Sequence, residues 1–231
     1  MSSVIARKTE SGPRMSGSLK LALFKPWPSA VTFGAVLKHG LPRPGLGREV
    51  NMFRLRNLPN LWRGARTLMW AKVFGIPTHY GALYLDKFTP QGRVALGLAS
   101  LRVVTTTGAG FIVDAFQGSV ELEDMKFHAF GTGTSAEAAA DTGLQTELTT
   151  EYATNNIRPT GTQTENGATV YRTVGTLDPD SAVAITEHGV LSDVDVAQGV
   201  LLDRTVFAAV NVAASGDSLQ ATYDFTITAG S

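Results

Sequence analysis

From Ala82 onward, apolar and polar residues alternate along the chain with a period near two. "ALYLDKF" (82–88) alternates and then meets the turn "TPQGR". "VALGLASLRVVTTT" (94–107) and "GFIVDAF" (110–116) are rich in β-branched and aromatic residues, and "VELEDMKFHAFG" (120–131) extends the pattern. Each run predicts a strand, because side chains on a strand point alternately to its two faces. A Gly/Thr stretch then leads into helix formers. Ser135 is a suitable N-cap, and Ala138, Ala139, Leu144 and Leu148 share an inward face, predicting one short helix. Further on, "TVYRTVGTL" (169–177), the turn "DPDS" and "AVAITEHGVL" (182–191) predict one hairpin. "GVLLDRTVFAAVNV" (199–212), "AASGDS" and "LQATYDFTITAG" (219–230) predict another. Short strands punctuated by turns every 8–12 residues give a mainly β body, a jelly roll or β-sandwich over residues 69–231.

The first third reads differently. Residues 1–51 carry little periodicity and many breakers, as in "HGLPRPGLG" (39–47), which predicts an extended or disordered segment within a basic, Pro/Gly-rich arm over 1–68. Met52 and Met69 are alternative internal starts, so part of this leader need not belong to the natural product. Within the arm, "NLWRGARTLMWAKVFG" (60–75) places Leu61, Trp62, Ala65, Leu68, Met69 and Val73 at spacings of three and four. That spacing predicts a short amphipathic basic helix. Docking onto a partner's groove, lying on a membrane and touching phosphates compete for it, with docking the best fit, beside plain packing on its own domain. Trp62, Arg63, Arg66, Trp70, Phe74 and Tyr80 are the candidate docking residues, since Trp and Arg concentrate at interface hot spots.

The stretch "ITEHGVLSDVDVAQGVLLDRTVF" (185–207) holds the densest cluster of chemically versatile residues. Folded about its middle, it pairs Val190 with Leu201 and Leu191 with Val200. That register sets Ile185 opposite Val206 and Glu187 opposite Arg204, predicting a structural ion pair. His188 then points to the other face, away from Glu187. Asp193 and Asp195 fall in the loop, where two carboxylates are too few for a calcium site that needs six to eight oxygens.

Composition narrows the chemistry. With no cysteine, disulfides and thiolate metal sites are excluded, and His39, His79, His128 and His188 sit at no metal-ligand spacing. "GTGTS" (131–135) lacks the Lys-Ser/Thr of a phosphate loop, and no Gly-x-Ser-x-Gly elbow occurs. No catalytic constellation or cofactor motif stands out, which predicts a non-enzyme. Hydrophobic residues make up 43% of the chain, ample for a core, and no run reaches the length of a membrane span. The zero net charge hides an asymmetry. Residues 1–80 hold 13 Lys/Arg against Glu10 and Glu49, or +11, and residues 81–231 hold 7 against 18 acids, or −11. A basic segment on an acidic body suits contact with an acidic surface or nucleic acid, or is simply a solvated tail.

Residues 130–230 resemble a family of tailed-bacteriophage virion structural proteins. The resemblance rests on "GTGT…DTGLQTEL", "YRTVGTL", "AITEHGVL", "LLDRTVFAAVNV" and "DSLQATYDFTITAG", with "KVFGIPTHYGALYLDKF" (72–88) similar to the start of such proteins. It spans roughly 69–231. It implies a structural part of the phage particle, made in the host cytoplasm: a head decoration (cement) protein, or a tail or fibre accessory presenting loops to the host. It also implies as partners the major capsid protein or other virion proteins, and copies of the chain itself in a homo-oligomer, a trimer above all. Nucleic acid and membrane are not expected partners.

One alternative belongs to another class. In a carbohydrate-binding or depolymerising β module, an acidic pair such as Glu187 with Asp203 would act on sugar, with Tyr171, Phe207, Tyr223 and Phe225 as the available aromatics. An ion-paired Glu187 would be a poor general acid.

Overall fold

Alternation becomes strand pairing from His79 onward. The computed structural model describes residues 33–76, 78–213 and 216–228. Strands β1 (His79–Thr89) and β2 (Gly92–Val103) form a hairpin whose tight turn places Gly92 at φ 128°, a conformation open to glycine. On its other side β1 pairs with β8 (Ser218–Ile227), which pairs with β5 (Val170–Leu177), which pairs with β4 (Thr162–Glu165). A second antiparallel sheet holds β3 (Phe127–Gly131), β6 (Val183–Leu191) and β7 (Leu201–Val212) in the order β3-β6-β7. The body is therefore a mainly β sandwich of five and three strands. Leu83, Leu85, Leu96, Phe130, Ile185 and Phe207 fill its core.

Three α-helices are present among the described residues, α1 (Phe33–Gly40), α2 (Arg48–Val73) and α3 (Thr106–Phe116), with a 3-10 turn at Leu122–Asp124. The short basic helix expected at 60–75 is a helix of 26 residues that begins at Arg48 and runs through Pro59. Residues 33–40 and 48–51, expected to be extended or disordered, are helical, while the arm's first 32 residues lie outside the described part. Helix α2 buries Val50, Phe53, Arg54, Asn57, Leu61, Gly64 and Ala65. This inward stripe shares Leu61 and Ala65 with the expected one but leaves out Trp62, Met69 and Val73. The expected boundary at 68/69 falls inside this helix.

The long helix solves an edge problem. Both β2 and β7 are terminal strands of their sheets, and unpaired strand edges invite aggregation. Asn57, fully buried, donates from Nδ2 to Ala99 O of β2 at 2.6 Å and accepts from Ala208 N of β7 at 3.0 Å. Arg54 Nε donates to Leu96 O at 3.2 Å. One helix face thus bonds to the free edges of both sheets, at Leu96 O and Ala99 O of β2 and Ala208 N of β7, and covers that side of the sandwich. Gly64 lies so close to β2 that a Cβ there would overlap the Leu101 carbonyl oxygen.

Several local expectations fail for tertiary reasons. "GFIVDAF" (110–116) is helical and belongs to α3, with Thr105 as N-cap accepting from Gly108 N at 2.9 Å. Thr105 Oγ1 also donates to Leu201 O at 2.6 Å, which anchors the helix start to β7. The helix expected after Ser135 does not form, and residues 132–161 make an irregular segment along the free edge of β3 through bridges at Phe127–Thr160 and Gly131–Glu147. Neither expected hairpin forms: β5 and β6 lie in different sheets, as do β7 and β8, so "DPDS" carries the chain from one sheet to the other.

Candidate functional site

Glu187 and Arg204 form the expected ion pair by an unexpected route. Glu187 stands opposite Val206, and Arg204 stands opposite Gly189. The pairing is two residues off the expected register, which keeps both side chains on the same face. Arg204 therefore reaches Glu187 along the diagonal, with Nε at 2.8 Å from Oε2. Glu187 is fully buried, and its carboxylate also accepts from Gly133 N at 2.9 Å, Gln145 N at 3.0 Å and Thr146 N at 2.7 Å. Arg204 continues to Asp141 Oδ2 at 3.0 Å and donates to Ser135 O at 3.3 Å. The pair is a clasp that holds the irregular segment against the outer face of the smaller sheet.

A second clasp sits at the other end of that segment. Arg158, almost wholly buried, binds Glu147 through Nε (2.6 Å) and Nη2 (3.0 Å), and its Nη1 donates to Asp193 O and Gln198 O. The loop carrying Asp193 and Asp195 is thereby tied down through its backbone. Asp193 Oδ1 accepts from Asp195 N at 2.9 Å, ordinary Asx-turn chemistry.

His188 points to the opposite face from Glu187, as expected, and there it meets His128. The two ring nitrogens, Nδ1 of His128 and Nε2 of His188, are 2.9 Å apart, and His128 Nε2 lies 3.1 Å from Thr173 Oγ1 of the larger sheet. Sixty residues separate these histidines, so no sequence spacing announced the pair. Burial pushes the His128 pKa down to about 3 and drives His188 well below its ordinary value, with the neighbouring His128 adding to the effect. Nearby, the Asp203 carboxylate and the Tyr223 hydroxyl face each other beside Gly81, where any larger residue would overlap them. No oxygen of either group makes a regular hydrogen bond among the described residues. Burial raises Asp203 to about 7, against the lowering pull of Tyr223 and Arg102, and lifts Tyr223 well above its ordinary value.

These placements separate the acidic pair of the sugar-directed alternative. Glu187 faces outward beneath the irregular segment, whereas Asp203 faces inward between the sheets. Phe207, Tyr223 and Phe225 are buried.

The expected docking residues divide. Tyr80 is buried with Leu61, Ala65 and Leu101 beneath α2 and is unavailable to a partner, which corrects that expectation. Trp62, Arg63, Arg66, Trp70 and Phe74 lie on the exposed side of α2 and just beyond it. Arg63 is partly engaged, at 3.3 Å from Glu137 and 2.7 Å from Asn60 Oδ1. Trp70 and Phe74 stack at 5.9 Å. Trp70, Val73, Phe74 and Ile76 are all exposed, a grouping of large apolar side chains that solvent alone does not favour. No helix among the described residues is long and apolar enough to cross a membrane. Comparison with models of known families and with curated proteins returns no match for this chain.

Proposed function

We propose that this chain is a non-enzymatic structural component of a tailed-bacteriophage particle, most directly a capsid decoration protein that reinforces the head. The observation that carries this reading is the exposed aromatic and basic end of α2 on a body braced by arginine–carboxylate pairs. The buried Glu187 carboxylate is held by Arg204 and backbone donors, the half-buried Glu147 carboxylate by Arg158, and Arg172 binds Asp224 at 2.6 and 2.7 Å. Such groups hold a shape; they are not poised to move protons. The resemblance of residues 69–231 to virion proteins points the same way. A braced sandwich with exposed apolar patches suits a lattice in which each copy is clamped by its neighbours.

The test is genetic and physical. Particles assembled without this chain are expected to release their DNA at lower temperature than complete particles, and adding purified protein back is expected to restore the loss. Particles equally stable with and without it would exclude a cementing role.

A further inference from the structure

Two exposed patches border one end of the sandwich, the end where β1 begins and β2 stops, since Tyr80 pairs with Val103. The first is the end of α2 and the residues after it: Trp70 (52% exposed), Val73 (65%), Phe74 (69%) and Ile76 (57%). Between residues 62 and 74 the chain carries Arg63, Arg66 and Lys72 and no acid. The second is the end of α3 and the following turn: Val113 (54%), Phe116 (84%) and Leu122 (50%). Between residues 113 and 126 lie Asp114, Glu121, Glu123 and Asp124 against the single base Lys126. Each patch combines large apolar side chains with a rim of one charge, and the two rims have opposite sign.

We infer that the cationic aromatic patch of α2 in one copy docks onto the acidic apolar patch of α3 in a second copy of this chain. Matching apolar centres within opposite charged rims is the pattern of a protein interface, with burial providing affinity and charge selecting partner and orientation. The contact uses two different patches, so it is head-to-tail. Repeated around an axis whose rotation closes, it forms a ring in which both patches of every copy are covered. The inference rests on the reading of the chain as an assembly subunit, and its test does not depend on particle content.

The full chain is measured by light scattering coupled to size exclusion, alongside Trp70→Glu and Phe116→Lys. Both positions are exposed, so the variants are expected to melt with the wild type. The wild type is expected at a multiple of the 24.5 kDa chain mass. Each variant alone is expected at the mass of one chain. An equimolar mixture of the two is expected to give a dimer, because each variant retains the patch that the other has lost. A monomeric wild type would overturn the proposal and leave the face to another protein of the particle, without touching the function proposed above. Variants with unchanged mass, or a mixture that stays monomeric, would overturn the head-to-tail contact.

Discussion

Arg204 binds Glu187 on the diagonal, across a strand pair in which neither faces the other. Glu187 lies opposite Val206, yet its Oε2 is 2.8 Å from Arg204 Nε and three backbone N–H groups complete the shell. The pair is less a cross-strand contact than a nail through the segment 132–148.

Replacing Glu187 by Gln keeps the shape but removes the charge and turns a donor toward backbone donors. Breaking a buried pair of this kind costs about 3–5 kcal/mol. At roughly 2–4 °C per kcal/mol for a chain of this size, the melting temperature is expected to fall by roughly 6–20 °C. Thermal unfolding followed by circular dichroism measures it, and a melting temperature equal to wild type would remove the clasp from the account.

The edge-sealing role of Asn57 makes a second prediction. In Asn57→Ala, Ala99 O and Ala208 N lose their partner in a buried place, at a cost of about 1–3 kcal/mol each. Asn57→Asp is expected to fare no better, because its carboxylate would face the Ala99 carbonyl. Hydrogen exchange gives the sharper readout: the Ala208 amide is expected to lose protection in both variants while strand pairs remote from α2 keep theirs.

Glycines 64 and 110 make a matched pair of tests. Both are helical, and glycine to alanine in a helix ordinarily stabilises by about 1 kcal/mol. At Gly110 a Cβ meets open space, so Gly110→Ala is expected to raise the melting temperature slightly. At Gly64 the same methyl would strike Leu101 O and lift α2 off β2, so Gly64→Ala is expected to destabilise. Two substitutions with the same sign of effect would contradict the close packing of α2.

The inner polar layer gives stability a characteristic pH profile. Both histidines are depressed in the folded chain, His128 to about 3. The unfolded chain binds their protons as pH falls through about 6.5, so this contribution is whole above that value and is lost toward acid. Asp203 runs oppositely: raised from its ordinary 3.8 to about 7, it is protonated in the fold where the unfolded chain is ionised. Its burial therefore costs stability at neutral pH and nothing below about pH 4. Asp203→Asn is expected to be more stable than wild type at pH 8, with the gain shrinking to nothing as the pH approaches 4. Paired denaturant titrations across that range check it; a gain independent of pH would mean that Asp203 does not titrate as described.

Much of the sandwich was legible in the sequence because period-two alternation is local: β1, β2 and β5 to β8 all fall on runs that alternate or are β-branched. Partner choice was not legible, since adjacent strands such as β5 and β6 entered different sheets and only distant residues decide that. The segment after Ser135 shows why local propensity failed. Its alanines favour a helix, but Gly133, Gln145 and Thr146 give their N–H groups to Glu187, and Thr134 and Ser135 give theirs to Gln145. Helix α3 failed in the other direction: β-branched composition suggested a strand, and the Thr105 cap anchored on β7 imposed a helix. Within the site, the parity of the strand was enough to foresee Glu187 with Arg204. No parity argument reaches from His128 to His188, sixty residues away on another strand.

The most direct measurement is the copy number of this chain relative to the major capsid protein in purified phage particles, by quantitative mass spectrometry. A capsid decoration role predicts a ratio near one or another lattice-sized fraction. Absence of the chain from the particle would contradict the central claim.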